Sequence, residues 1–420
     1  MTSRTTKTGR TGSDLGAARR VARGAGAALA ALLALGGAGC TLRDEPGIDA
    51  GRDGGPGGAD APFVPVDGPA PDFGPPRDTG GFCGGETIPL TRLPARIVFV
   101  VDRSSSTLEP SDPSFMPTAA DLGSCAETNA SPASGITYRT LWDDLGGAVS
   151  DVAAAREELI EFGLTLFPGP GALSGTATLD AFCTARPPTT LVAPAPRTAT
   201  AIADTLSAPA NAPLCAGGFT PTRRALEVAA ESLAGSTDGV LVLATDGAPN
   251  CATSLSGPCV CTAGALFCGS RGGPGCLDDA GTVATITSLA ARGIRTYVVG
   301  IPGTEAYADV LDAMAVAGGT ARTGGAEAYY RADDAAALLG ALGTISDREV
   351  SCRFALDAPP PNFEDVNVLL DDVAIPRDVP DGWVLAADGS AIELTGDSCA
   401  RLRAGTIGNV QFLFGCPYLF

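Results

Sequence analysis

The sequence predicts an α/β protein: a doubly wound, mostly parallel sheet, preceded by a disordered N-terminal tether and followed by a small C-terminal all-β domain. Three observations carry this. Between residues 97 and 345, short apolar runs alternate with stretches of helical composition. After Asp347 the texture changes to strand-like runs separated by turn signals such as PPPNF, DD and DG. Residues 41–82 are rich in glycine, proline and scattered aspartate and show hardly any periodic apolar pattern.

The chain opens on a basic segment holding Arg4, Lys7, Arg10, Arg19, Arg20 and Arg23. A small, apolar run, GAGAALAALLALGGAG, then leads to Cys40. The run is too short and too weakly apolar to span a bilayer well. Residues 1–39 therefore read as a signal peptide. The ending Ala38-Gly39-Cys40 resembles a bacterial lipobox, in which the cysteine is acylated and becomes the new N-terminus; Gly37 stands where that pattern usually has leucine. The resemblance implies lipidation at Cys40 and attachment to a bacterial envelope, at the outer membrane or cell surface. It also explains cysteine parity: of 13 cysteines, sparing one leaves twelve to pair as disulfides, which requires export from the reducing cytosol. Residues 40–90 form the tether, whose stretch 41–82 has a root-mean-square reach of roughly 35 Å.

The main domain spans residues 91–348. Residues 97–101 read as a buried β-branched strand, 141–159 as a helix, 160–167 as a strand stopped by Pro168, and 198–206 as a short helix. A clearer helix covers 222–233, with Ala225, Leu226, Ala229, Ala230 and Leu233 on one face. Then follow a strand at 239–244, a helix at 277–291, a strand at 294–301, a helix at 305–317, a short strand at 328–331 and a helix at 333–345. Apolar strands alternating with helices imply a sheet covered on both faces. Residues 349–420 hold strand-like runs at 352–356, 366–370, 383–386, 391–394 and 410–414, with no helix of length. Phe412, Phe414 and Tyr418 there read as core.

Composition excludes several functions. The formal net charge is −19, and Lys7 is the only lysine. With no basic patch, nucleic acid and anionic lipid surfaces are not expected partners. There is no histidine. That removes Ser-His-Asp and Cys-His catalysis, histidine-ligated zinc and imidazole acid/base work.

Three separated stretches carry the candidate chemistry: VFVVDRSSS at 98–106, GGFTPT at 217–222 and LVLATDG at 241–247. In doubly wound sheets, ligands bind outside the carboxyl ends of the strands. Asp102 and Asp246 each sit at such an end, and Thr220 lies in the loop before a helix. Ser104 and Ser106, at alternating positions, can turn both hydroxyls to the side of Asp102. Two carboxylates and two or three hydroxyls make an all-oxygen donor set, suited to a hard cation and not to zinc or copper.

DRSSS, GGFTPT and LATDG, in that order on an alternating β/α chain, resemble a von Willebrand factor type A domain over about residues 94–347. The stretches match that family's metal ion-dependent adhesion site residue by residue at Asp102, Ser104, Ser106, Thr220 and Asp246. The resemblance implies a Rossmann-like doubly wound sheet with a divalent cation at its top, Mg2+ or else Mn2+ or Ca2+. Thr222 rivals Thr220, but its place suits capping of the next helix. Ser105 stands where the family commonly has glycine, at a position that supplies no ligand.

Two insertions leave from the same edge, residues 107–140 with Cys125 and residues 250–276 with Cys251, Cys259, Cys261, Cys268 and Cys276. The spacings are not CxxC pairs, so disulfides are expected rather than zinc. Five is odd, so at least one pairs outside, with Cys125, Cys183 and Cys215 as candidates. Of Cys352, Cys399 and Cys416, one is expected to reach the main domain or Cys83.

Two functional readings follow. In the first, an envelope lipoprotein binds a protein ligand that offers a carboxylate to the cation. In the second, the lipoprotein is structural and a cation only stabilises the fold. Catalysis with Ser104 or Ser106 as nucleophile lacks a base, since no histidine and no lysine beyond Lys7 is present; the chain is not expected to be an enzyme.

Overall fold

The computed structural model describes residues 86–87, 91–126, 133–169, 183–184, 187–215, 219–236, 239–253, 255, 259–262, 273–356, 362–387, 389–415 and 419. The signal peptide, Cys40, nearly all of the tether, Gly217, Gly218, Cys268, Cys416 and Tyr418 lie outside the described residues.

Two short strands come first, β1 (Glu86–Thr87) and β2 (Thr91–Arg92), then β3 (Ala95–Asp102). Helix α1 (Leu141–Arg156) begins on a capping box: the Thr140 hydroxyl accepts from Asp143 N, and Asp143 accepts from Thr140 N at 2.8 Å. Strands β4 (Ile160–Phe167) and β5 (Thr189–Ala195) follow, then α2 (Ala199–Ser207) and α3 (Thr222–Glu231). Next come β6 (Val240–Thr245), the two-residue strands β7 (Cys251–Ala252) and β8 (Gly273–Pro274), α4 (Asp279–Ala290) and β9 (Arg295–Gly300). Helix α5 (Ala308–Ala317), β10 (Tyr330–Arg331) and α6 (Ala335–Glu349) complete this part.

The central sheet has the order β10-β9-β6-β3-β4-β5, parallel throughout except for antiparallel β5. Chain order therefore reverses between β3 and β6, which is the switch point of a doubly wound sheet. The strand pleat distributes β3 between two cores. Ile97, Phe99 and Val101 pack with Leu145, Val149, Ile202 and Leu338 of α1, α2 and α6. Val98 and Val100 pack with Leu226, Ile286 and Leu311 of α3, α4 and α5.

Strand β5 was not expected. Pro187, Pro188, Pro194 and Pro196 make its sequence read as a connector. The strand lies at the sheet edge, where proline is tolerated, and its pairing with β4 is irregular. Gly163 of β4 accommodates it: a Cβ there would meet Pro194 Cδ at 2.9 Å.

The C-terminal part contains β11 (Arg353–Ala355), β12 (Val366–Leu370), β13 (Val373–Ile375), β14 (Trp383–Leu385), β15 (Ala391–Leu394), helix α7 (Gly396–Arg403) and β16 (Val410–Phe414). Two antiparallel sheets form, β1-β16-β12-β13 and β14-β15-β11-β2, around Phe354, Val368, Trp383, Ile392, Phe412 and Phe414. Two corrections follow. The all-β expectation fails at α7, a short helix hidden by its polar sequence GDSCARLR; it buries Cys399 and Leu402. The sheets are also not confined to residues beyond 348, because β1 and β2 supply one strand to each. The α/β part is thus inserted between two strands and the remainder of the β part.

Among the described residues, disulfides join Cys125 to Cys215, Cys183 to Cys251, Cys259 to Cys276 and Cys352 to Cys399; Cys261 is also disulfide-bonded. Cys251 is a member of the cysteine-rich insertion that pairs outside it, and Cys352 pairs within the β part. Among the described residues no helix is long and apolar enough to cross a membrane.

Candidate cation site

Asp102 is the last residue of β3, and its neighbour β6 ends on Thr245, immediately before Asp246. Parallel pairing of the two strands, Val101 opposite Ala244, carries both aspartates to the same sheet edge at the switch point. Both are buried.

The serines follow from the way β3 ends. Arg103 N donates to Phe167 O at 2.8 Å, and residues 105–108 then form one turn of 3-10 helix. Thr107 secures the turn, its hydroxyl donating to Ser104 O at 2.7 Å. The turn, rather than a continued extended strand, brings Ser104 Oγ and Ser106 Oγ within 3.0 Å of each other. Ser104 N donates to Asp102 Oδ1 at 2.8 Å, and Ser104 Oγ lies 3.5 Å from Asp246 Oδ1. Ser104 is buried and Ser106 exposed, so the cluster opens to solvent at Ser106.

Thr220 is also buried, and its backbone is tied to the loop that follows Asp246. Its N–H donates to Asn250 Oδ1 at 2.6 Å, and its carbonyl accepts from Asn250 N at 3.1 Å. Asn250 lies four residues beyond Asp246, so this two-point clamp binds the Thr220 loop to the end of β6. Among the described residues the Thr220 hydroxyl makes no hydrogen bond to the other four candidates. The rival Thr222 is the first residue of α3 and provides no side-chain cap; its hydroxyl lies 3.5 Å from Thr220 O. The capping expectation is corrected: Pro221 occupies the cap position.

Two functional neighbours escape the sequence reading. Thr245 Oγ1 donates to Asp102 Oδ2 at 2.6 Å. Asn250 forms the clamp just described. The threonine of LATDG was a signal, since it ends β6 beside the end of β3, where Asp102 lies. Nothing in the local sequence distinguishes Asn250.

The electrostatics are those of an anion pair held out of water. Burial pushes the Asp102 carboxyl up to about 6, opposed by the hydrogen bonds from Thr245 and Ser104. Burial pushes Asp246 well above the usual carboxylate range, and the charge of Asp102 pushes it further. As ionised groups both are acceptors, and among the described residues Asp246 Oδ2 is buried without a hydrogen-bond partner. Glu109 and Glu305 add negative charge nearby: Glu305 raises Glu109, and Glu109 acts on Asp246.

Two buried carboxylates with an unpartnered oxygen are unfavourable unless a cation compensates them. The adjoining hydroxyls are neutral oxygen donors of the kind Mg2+, Mn2+ and Ca2+ accept. Asp102, Ser104, Ser106 and Asp246 therefore fit a hard divalent cation, with Thr220 held alongside by Asn250. The carboxylates are only two: among the described residues, no three or more His, Cys, Asp or Glu side chains gather as a metal cage.

No family model and no curated protein sequence matches this chain. Solved structures similar to it include the pilus adhesin SpaC from Lactobacillus rhamnosus GG, at 14% identity and TM-score 0.38, covering 76% of this chain and 39% of the adhesin. The PilB minor pilin from Streptococcus sanguinis is similar at 16% identity and TM-score 0.41, covering 61% of each chain. Manganese-loaded TRAP protein from Plasmodium vivax is similar at 15% identity and TM-score 0.33, covering 61% of this chain and 78% of its own. The chain thus spans 39% and 61% of the length of the first two.

Proposed function

We propose that the protein is a lipid-anchored bacterial envelope protein, attached through Cys40, whose α/β part is a von Willebrand factor type A domain that binds a protein ligand through a divalent cation. Asp102, Ser104, Ser106, Thr220 and Asp246 would hold Mg2+, with Mn2+ or Ca2+ as alternatives. The cation supplies a site at which a carboxylate of the partner completes the shell. The observation that carries this reading is the buried, unpartnered Asp246 Oδ2 beside buried Asp102.

The protein's own acidity shapes the partner. From Cys40 onward its 22 basic and 46 acidic residues give a net charge of −24, which repels acidic surfaces at long range, so the partner offers one acidic side chain on an otherwise neutral or basic surface. The serines act as ligands, not nucleophiles. Nucleic acid is not a partner.

Mn2+ titrated into the full chain, beside Asp102→Ala, tests the site; equal metal uptake in both removes the proposal. A solid-phase assay against basic envelope proteins bearing surface carboxylates, with Mg2+ or with EDTA, tests the ligand. Binding lost in EDTA supports cation-held recognition. Unchanged binding with a lowered unfolding temperature supports instead a structural lipoprotein whose cation stabilises the fold.

A further inference from the structure

We infer that the Cys183–Cys251 disulfide and Phe219 are positioning residues for Thr220, and that the cation affinity of the proposed site depends on them. The inference rests on the cation-site reading above and deepens it.

Among the described residues, apart from the two cores flanking the sheet and the core of the β part, there is one small buried cluster: Cys183, Phe219 and Cys251. Its members come from three places. Cys183 belongs to the connection between β4 and β5. Phe219 immediately precedes Thr220. Cys251 immediately follows Asn250 and opens β7. The bridge and the ring therefore adjoin, residue for residue, the two partners of the Thr220–Asn250 clamp.

The sequence explains why such a support is needed. Phe219 is preceded by Ala216-Gly217-Gly218, which has no side chain larger than a methyl to anchor the loop. Apolar contact at Phe219 and the covalent bridge at Cys251 supply that anchor from both sides. Each holds one half of a hydrogen bond 2.6 Å long whose donor is the Thr220 backbone. A second bridge, Cys125–Cys215, ties the insertion after Ser106 to the segment leading into this loop. Removing either the bridge or the ring frees one side of the clamp and leaves Asp102, Ser104 and Asp246 in place. Partners that orient a ligand residue in this way typically govern metal affinity by roughly 10–100-fold.

The test is Mn2+ titration calorimetry on the full chain, oxidised, with unfolding measured in parallel. Cys183→Ala/Cys251→Ala and Phe219→Ala are expected to weaken Mn2+ binding roughly 10–100-fold, and Phe219→Leu, which keeps an apolar side chain, to recover most of the loss. Removing the bridge of the β part, Cys352→Ala/Cys399→Ala, lowers the unfolding temperature and leaves Mn2+ affinity unchanged. Native Mn2+ affinity in a folded Phe219→Ala and in the Cys183/Cys251 double variant overturns the inference. If the bridge variant does not fold, Phe219→Ala beside Phe219→Leu decides alone. If the unmodified protein takes up no Mn2+, the proposed function fails, and this inference fails with it.

Discussion

Thr245 and Asp102, 143 residues apart, close the end of the parallel sheet: the buried Thr245 hydroxyl donates to Asp102 Oδ2 at 2.6 Å. The same hydroxyl lies 3.3 Å from Gly247 N, beyond Asp246. One side chain thus orients the first carboxylate and holds the turn that bears the second. Thr245→Val keeps the shape and removes the donor. Leaving a buried acceptor unsatisfied costs about 1–3 kcal/mol, so the variant unfolds at lower denaturant than the parent. The lost bond favoured the charged form, so the Asp102 carboxyl rises above about 6. Mn2+ uptake followed against pH shifts to higher pH in this variant, a displacement that a purely structural loss would not produce.

A pH dependence follows from the anion pair. In the folded chain Asp102 holds its proton up to about 6, against an ordinary value near 3.8, because burial disfavours the charge. Asp246 is shifted in the same direction. Between these values the folded state binds more protons than the unfolded state, so raising the pH through this window destabilises the metal-free protein. A cation removes the penalty by replacing the protons, and its affinity rises with pH over the same range. Melting temperatures in EDTA are expected to fall between about pH 4 and pH 7, and to fall less with saturating Mg2+. General acidic self-repulsion contributes its own slope, so the comparison is made against a chain with both aspartates changed to asparagine.

Asp246→Asn separates stability from binding. The substitution removes a group whose ionisation burial and the charge of Asp102 both disfavour, and leaves the side-chain shape intact. In EDTA at neutral pH the variant is expected to melt above the parent. With Mn2+ the order reverses, because only the parent gains stability from the ion. A variant that melts below the parent in both conditions would assign Asp246 to ordinary structural packing.

The elements that place the site were readable where local pattern and tertiary role coincide. Strands β3 and β6 are apolar runs ending at polar residues, which locates Asp102 and Asp246 without further information. The convergence of Ser104 with Ser106 was also readable, although a 3-10 turn and Thr107 produce it. Other features depend on partners distant in sequence. Prolines masked β5, whose strand character comes from pairing with β4. Glu86–Thr87 and Thr91–Arg92 are too short to announce themselves and are strands because Phe414 and Phe354 lie opposite. Asn250 is one polar residue at the start of a loop; only the folded chain puts its amide against Thr220. Thr222 looked like a cap by position, but Pro221 takes that place.

The loop after β9 gives the most selective test of the Asp246 backbone. Gly303 has φ +111, and a Cβ there would lie 2.5 Å from Asp246 O. An alanine at this position must adopt a conformation that L residues rarely hold and must also displace the peptide carrying a proposed ligand. Gly319 provides the control: φ is +70 and nothing lies within 4 Å of its Cβ position. Gly319→Ala should lose about 1–2 kcal/mol, the ordinary penalty of a left-handed conformation, and keep its Mn2+ affinity. Gly303→Ala should lose more stability than this and bind Mn2+ at least about tenfold more weakly, in line with displaced ligand supports elsewhere. Unfolding in urea and Mn2+ titration on the two variants separate the effects. Equal Mn2+ affinity in both would show that the Asp246 peptide tolerates movement and that its position does not govern the site.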